Sequence, residues 1–340
     1  MIIARSPLRI SFAGGGSDIP SFYKKWGPGV VVSTSINKHV YVSISEKFGG
    51  GISLRYKIHE SPNTAADLKH GLVREALAMY GIKEGLEIVI SSDVPARGSG
   101  LGASSALACA LVVALERYTS GELLYEQSIA EISSQIEIER VGSPIGKQDH
   151  YASAYGGLNK ITFNSDESVE VSFFEEEEFT SEIENQSMLF YLNIEHEYED
   201  PDKFFVQRVL KDQIAQMEKN HRLYELQRDN AVAMWDHMTY AVPERFIDHV
   251  NENWRIKRSV HSGVTNTQID SVVQRAYAAG ATAAKVCGAG GGGFLYLVVP
   301  VSMQDVVRKA LIEYNELKFK FDTNGTEIIY DGTEREGIAA

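Results

Sequence analysis

The chain has 340 residues, 44% of them hydrophobic and 23% charged, with a formal net charge of −13. That length suits about two domains with a substantial core, and the acidic balance excludes nucleic acid and anionic membrane as general partners, since both demand a basic face. A small anion held by a local pocket of donors stays compatible. No apolar run reaches the length of a membrane-spanning helix, and the start MIIARSPLRISFAGGG lacks the layout of a secretory leader. The two cysteines, Cys109 and Cys287, lie far apart, so the expectation is a cytoplasmic protein whose thiols are small core residues.

In chain order, Ile2–Phe12, Val30–Ile36, Val40–Ser45 and Ile52–Ile58 are short, rich in β-branched residues and bounded by glycine or polar turns, which predicts strands. Ala65–Tyr80 carries apolar residues at helical spacing, and Leu86–Ile90 returns to strand. Helices are expected over Ser105–Tyr118, Leu124–Val141 and Gln148–Tyr155, then a hairpin over Leu158–Phe163 and Val169–Phe173. The run Glu175–Glu178 shows no apolar period and reads as a solvated connector, which places a domain boundary between residues 175 and 176. Beyond it come a strand at Met188–Asn193, two long amphipathic helices within Asp202–Tyr240, and helices over Pro243–Arg258 and Gln268–Ala279. Gly280 marks a helix stop. Strands at Ala284–Cys287 and Phe294–Val299, a helix from Met303, and late strands at Lys318–Asp322 and Glu327–Tyr330 complete an α+β, two-lobed chain without a fixed-period repeat.

Three glycine-rich segments each adjoin a predicted strand: FAGGGSD at Phe12–Asp18, VPARGSGLGASSAL at Val94–Leu107 and KVCGAGGGGF at Lys285–Phe294. One such loop is a weak signal; three suggest backbone segments converging on a ligand. In the second, glycines lead into the small residues Ala103–Ala106 at a helix start. Unpaired N–H groups and the helix dipole favour an anion there, and Ser104 and Ser105 offer hydroxyls to a phosphate or to Mg²⁺. Simple N-capping by serine is the alternative. The segment lacks the Gly-Lys-Ser/Thr ending of a P-loop, and no downstream ribose-binding acid supports a dinucleotide fingerprint.

Glu137 closes an apolar helix and Asp149 follows the turn GSPIG, a reversal that brings two carboxylates towards one metal–nucleotide, or leaves two surface charges. Arg9 lies in an alternating apolar strand, where a charge needs a partner: either a buried ion pair or a cation beside a transferring phosphate. Asp18 is placed to cap a helix over Ser21–Trp26 or to accept hydrogen bonds from a polyol. In NWRIKR, Arg255, Lys257 and Arg258 are candidate cations for a substrate phosphate, with Lys147 and Arg97 behind them; a solvated helix end is the alternative. Trp254, His39 and His150 read as structural.

SPLRISFAGGGSD, DVPARGSGLGASSAL and KVCGAGGGGFL, in this order, resemble the signature motifs of the GHMP kinases, the superfamily of galactokinase, homoserine kinase, mevalonate kinase and phosphomevalonate kinase. Within it, PIGKQDHYASAYGGLN and NWRIKRSVHSGVTN resemble the D-glycero-D-manno-heptose 7-phosphate kinases, with fucose kinases similar. The resemblance implies an N-terminal domain like ribosomal protein S5 domain 2 (residues 1–175) and a ferredoxin-like C-terminal domain (176–340), with ATP and a sugar or sugar phosphate meeting between them. It implies Asp149 as the catalytic aspartate with Arg9 beside it, and Ser104 and Glu137 as magnesium ligands. ATP phosphates would lie on Arg97, Gly98, Ser99, Gly100, Leu101, Gly102, Ala103, Ser104 and Ser105. Substrate would meet Asp18, Gly15, Gly16, Lys257, Arg258 and Gly291. Galactokinase-type members carry a Glu-His pair where this chain has Gly15 and Gly16, which argues against galactose and leaves room for a bulkier sugar. A homodimer is left open.

Overall fold

A computed structural model describes residues 1–95, 98–194, 205–240 and 242–332. Its elements run β1 (Ile2–Ala13), α1 (Pro20–Trp26), β2 (Gly29–Glu46), β3 (Ile52–Arg55), β4 (His59–Glu60), α2 (Gly71–Met79), β5 (Leu86–Ser92), α3 (Ala103–Thr119), α4 (Glu126–Ser134) and α5 (Gln148–Tyr155). There follow β6 (Leu158–Phe163), β7 (Val169–Phe173), α6 (Glu177–Gln186), β8 (Ser187–Tyr191), α7 (Phe205–Ala215), α8 (Met217–Met238) and α9 (Pro243–Val260). The chain finishes with α10 (Thr267–Ala278), β9 (Ala283–Val286), β10 (Phe294–Val298), α11 (Gln304–Ala310), β11 (Asn315–Leu317) and β12 (Glu327–Asp331).

The first sheet is organised by β2, which is long enough to pair with β1 along its length, with β6 through Gly29–Thr34 and with β5 through Val40–Glu46. The sequence suggests two strands here, divided at Asn37-Lys38. They are one, because the polar interruption is absorbed by tertiary bonds: Asn37 N donates to Lys320 O, and Asn37 Oδ1 accepts from Lys320 N. Helix α3 lies against β1 and β2. Its small and apolar residues from Ser105 to Leu115 are buried almost without a break, as a helix enclosed on all sides requires. β12 returns from the far end of the chain to pair with β1.

The second sheet has the order β11-β8-β10-β9, all antiparallel. Counting its strands in chain order gives 4-1-3-2, with helices between the first and second and between the third and fourth, the β-α-β-β-α-β ferredoxin-like arrangement. Both faces are buried. Met188, Phe190, Leu295 and Leu297 pack with Trp254 and α10, whereas Leu189, Phe294 and Tyr296 join the core shared with the first sheet, the two-residue alternation of a strand. Phe12 of β1 touches Phe246 and Tyr296 across that seam, with ring centroids 5.0 and 5.5 Å apart.

Several expectations are corrected. The acidic run Glu175–Glu178 is exposed, as expected, but its second half opens α6, whose Phe179 and Ile183, four residues apart, are buried; Glu177 and Glu178 suit its first turn, where the helix dipole favours negative charge. Ala65–Tyr80 is helical as a whole only from Gly71, after a short 3-10 turn at Ala65–Asp67. Leu124–Val141 is α-helical to Ser134 and then widens into a π-helix over Gln135–Arg140. Lys318–Asp322 forms no extended ladder: the strand is Asn315–Leu317, and Phe321 makes an isolated bridge to Ile36.

Candidate active site

The three glycine-rich segments meet at one cleft. In the second, Gly100 has φ +74°, and a Cβ there would stand 2.6 Å from the Cys287 carbonyl oxygen of the third loop. The two loops therefore touch backbone to backbone, and Phe294 N donates to Ser99 O at 3.0 Å. Gly102 is left-handed at the N-cap of α3, no side chain caps that helix, and its first residues, Ala103 and Ser104, line the cleft. Serine capping is thus not the use of this sequence. The start of α3 stands open to an anion.

At the same place Arg9, 4% exposed, forks onto Asp149: Nε donates to Oδ1 at 2.7 Å and Nη2 to Oδ2 at 2.6 Å. Nη1 donates to Gly100 O at 2.7 Å, so the same guanidinium ties the aspartate to the glycine loop. A Cβ on Gly102 would lie 3.3 Å from Asp149 Oδ2. Bidentate pairing fixes the carboxylate plane as well as its position.

Glu137, carried by the π-helix, is buried beneath Ser104 and Ser105. Ser104 Oγ donates to Oε1, Ser105 Oγ donates to Oε2 at 2.8 Å, and His150 Nε2 is 2.8 Å from Oε2. Burial pushes this carboxyl up, and the bonds from His150, Ser104 and Ser105 outweigh it, leaving Glu137 below the usual carboxylate range. A carboxylate only accepts, so His150 carries its proton on Nε2; its Nδ1 has no partner among the described residues. His150 is structural in the sense that it orients Glu137.

Asp18, fully enclosed, does not cap α1, whose N-cap is Ile19. Its Oδ1 accepts from Gly16 N at 2.9 Å and Gln148 Nε2 at 3.0 Å, and its Oδ2 from Gln148 N at 3.1 Å. Burial raises its carboxyl to about 6, with nearby Asp149 adding to the rise. Two lysines complete the cleft. Lys257 Nζ donates to the carbonyls of Val286 and Gly288, and Lys285 Nζ to those of Ser11 and Phe12. Burial depresses both ammonium groups, Lys257 to about 8 and Lys285 well below its ordinary value.

Of the residues expected at the site, Arg9, Gly15, Gly16, Asp18, Gly98, Ser99, Gly100, Gly102, Ala103, Ser104, Asp149 and Lys257 line this cleft, and Ser105 and Glu137 lie directly behind it. Others do not. Arg258 faces away, bonded to Asp270 at 2.9 Å and lying over the Trp254 ring. Arg255 is exposed on Glu252. Gly291 gives its N–H to Val264 O, while Gly288, Ala289, Gly290 and Gly292 form the wall. Leu101 is buried and contributes its carbonyl to Arg9 N. Arg97 lies outside the described residues. His39 bonds Asp322 at 3.1 Å, a structural role. Lys285, Gln148, Tyr224, Gln227 and Asn253 also line the cleft and were not foreseen. Lys285 had a signal of the same kind as Arg9, a charge within an apolar strand.

Among the described residues no cluster of three or more histidine, cysteine or acidic side chains is placed to hold a metal, and no helix is long and apolar enough to cross a membrane. Residues 67–157 match the family model for the GHMP kinases N terminal domain, and residues 238–316 that for GHMP kinases C terminal. The chain is 27% identical to the D-glycero-alpha-D-manno-heptose 7-phosphate kinase of Campylobacter jejuni, across 91% of this chain and 93% of the relative. It is 26% identical to the bifunctional fucokinase/GDP-fucose pyrophosphorylase of Arabidopsis thaliana, over 92% of this chain and 31% of that longer protein. A crystal structure of a D-glycero-D-manno-heptose 1-phosphate kinase from Bacteroides thetaiotaomicron shares the fold, with a TM-score of 0.77, 22% identity, and 97% of this chain and 100% of that chain covered.

Proposed function

The chain belongs to the GHMP kinase family, and on that footing we propose that it transfers the γ-phosphoryl group of ATP to the anomeric hydroxyl of D-glycero-D-manno-heptose 7-phosphate, giving the 1,7-bisphosphate that nucleotide-activated heptose synthesis consumes. The observation that carries the reaction type is the Arg9 fork on Asp149 beside the uncapped start of α3. A proton acceptor, a cation and an anion-binding helix end converge within one cleft. The Campylobacter relative, matched over nearly its whole length, supports the heptose phosphate, and Lys257 at the cleft supports a phosphorylated acceptor.

In this reading the glycine loop and the first peptide groups of α3 bind the β- and γ-phosphates. Asp149 orients the anomeric hydroxyl and receives its proton as that oxygen bonds to the γ-phosphorus and the bond to the β-phosphate oxygen breaks, releasing ADP. The transition state of such transfers is loose, so positioning and charge neutralisation are what the protein supplies. Arg9 holds the Asp149 plane and lies beside the moving charge. Glu137 and Ser104 would hold Mg²⁺: a buried acid held ionised and a cleft-lining hydroxyl are both hard oxygen donors. When bound, Mg²⁺ would neutralise phosphate charge. We place the enzyme in the cytoplasm, with its two domains divided between residues 175 and 176 and β12 returning to the first sheet.

The match to a fucokinase carries a second reading, a kinase of an unphosphorylated sugar. Measuring ADP release with heptose 7-phosphate, heptose and fucose separates them. Turnover confined to heptose 7-phosphate, with a new anomeric phosphate signal in the phosphorus NMR spectrum of the product, is the expected result. Turnover of fucose without heptose 7-phosphate would replace the first reading by the second.

A further inference from the structure

Beside Asp18 the cleft is walled by α8, which no expectation connected with the site. Tyr224 and Gln227, three residues apart and so on one face of the helix, both line the cleft and are 1% and 2% exposed. Among the described residues the Tyr224 hydroxyl and Gln227 Oε1 have no hydrogen-bond partner, and neither has Oε1 of Gln148, which lines the same cleft. Buried polar atoms are nearly always paired, so unpartnered ones on one cleft point to a ligand that pairs them.

The polarity of that ligand follows from Gln148. Its amide nitrogen donates to Asp18 Oδ1 and its backbone N–H to Asp18 Oδ2. A carboxylate offers no proton in return, so the amide is held one way round and its oxygen is left as an acceptor. Gly16 serves the same wall: with φ +95°, a Cβ there would stand 2.8 Å from Tyr224 Cε1. The room made by the first loop is filled by the tyrosine ring, and a Cβ on Gly15 would face the Gln148 amide at 3.5 Å. The bare glycines admit these side chains, and both glycines still line the cleft.

We propose that Tyr224, Gln227 and Gln148, the last positioned by Asp18, read the hydroxyl groups of the acceptor sugar and make this cleft selective for a polyol. The inference rests on the sugar-kinase reading above and names its specificity residues. Carbonyl oxygens accept from sugar O–H groups, whereas a carboxylate-bearing acceptor of mevalonate type would set its charge against them. Sites built from buried polar groups reject ligands that leave those groups unpaired.

The test measures binding of heptose 7-phosphate, L-fucose and mevalonate by calorimetry, and steady-state kinetics with whichever sugar turns over, for the wild-type enzyme and for Tyr224→Phe and Gln227→Leu. Each substitution is expected to weaken sugar binding and raise the sugar KM roughly tenfold while the KM for ATP stays within twofold. Melting temperatures of the ligand-free variants should not fall, because the atoms removed have no partner there to lose. Wild-type binding of a sugar, with both variants unchanged in sugar affinity, overturns the assignment of α8 and leaves the sugar-kinase reading standing. Variants that lose sugar affinity and ATP affinity together, with lowered melting temperatures, also overturn it by showing a merely structural role. Binding of mevalonate in preference to both sugars sinks the assignment and the reading beneath it.

Discussion

The cleft holds its buried cations in two different ways. Arg9 is paired without a ligand: both Asp149 oxygens and the Gly100 carbonyl accept from its guanidinium. Lys257 and Lys285 rest only on carbonyl oxygens, and among the described residues no carboxylate lies within ion-pair distance of either. A buried charge is costly unless it is paired, and a protein of net charge −13 has no shortage of acids to pair with. One end of the site is therefore prearranged for chemistry. The other keeps positive charge uncompensated, the state that an incoming phosphate would relieve.

That contrast breaks first at Asp149. Asp149→Asn should lower kcat by roughly 10²–10⁴, the size of a lost general base, with little change in the KM for ATP; a variant turning over near the wild-type rate at saturation would remove Asp149 from the chemistry. The two kinds of cation should then respond oppositely to neutralisation. Arg9→Leu strands Asp149 and should cost roughly 3 kcal/mol of unfolding free energy, the scale of a buried pair losing one partner. Lys257→Met removes a charge with no counter-ion and should leave the ligand-free protein at least as stable, while raising the KM for heptose 7-phosphate roughly 10–100-fold. Urea unfolding of both variants decides it: a Lys257→Met protein destabilised as much as Arg9→Leu would erase the distinction. Gly100→Ala, with its φ of +74° and its Cβ 2.6 Å from Cys287 O, should cost about 1–3 kcal/mol by prising the second loop from the third.

The prearranged end was largely legible in the sequence, and the reason is local. Arg9 in an apolar strand, glycines before a small-residue helix start, and acids beside a turn are each anomalies within a few residues of chain. Their convergence needed only that the loops meet. The uncompensated end was half legible: Lys257 stood out as one of several basic residues, but Arg258, its neighbour, points to Asp270 instead, and which side of α9 enters the cleft is decided by packing on the second sheet. Tyr224 and Gln227 left no signal at all. They sit on an amphipathic helix whose other buried positions are apolar or amide-bearing, Met217, Ala231 and Asn230 among them, and a tyrosine there reads as core. The fold shows the same division. Strands with clean alternation were found, whereas the continuity of β2 depends on Lys320, far away in sequence.

The smallest predicted effect tests the uncompensated end without relying on activity. Burial lowers Lys257 from 10.5 to about 8 in the folded protein, so between those values the unfolded chain binds more protons than the native one. Stability therefore gains from this lysine as pH rises from about 8 towards 10.5, and its full cost is felt below that window. Lys285 is depressed in the same direction, partly by Lys257 itself, and adds to the effect in the wild-type protein. The stability advantage of Lys257→Met over wild type should thus shrink between pH 7.5 and 9.5, by no more than about 1.4 kcal/mol per pH unit, the slope for one proton. Saturating inorganic phosphate should flatten the difference from the other side, by giving Lys257 its counter-ion at neutral pH. A difference that is constant with pH, and indifferent to phosphate, would mean that Lys257 is already neutralised by its carbonyl cage, and that this end of the cleft is no more open to an anion than the Arg9–Asp149 pair.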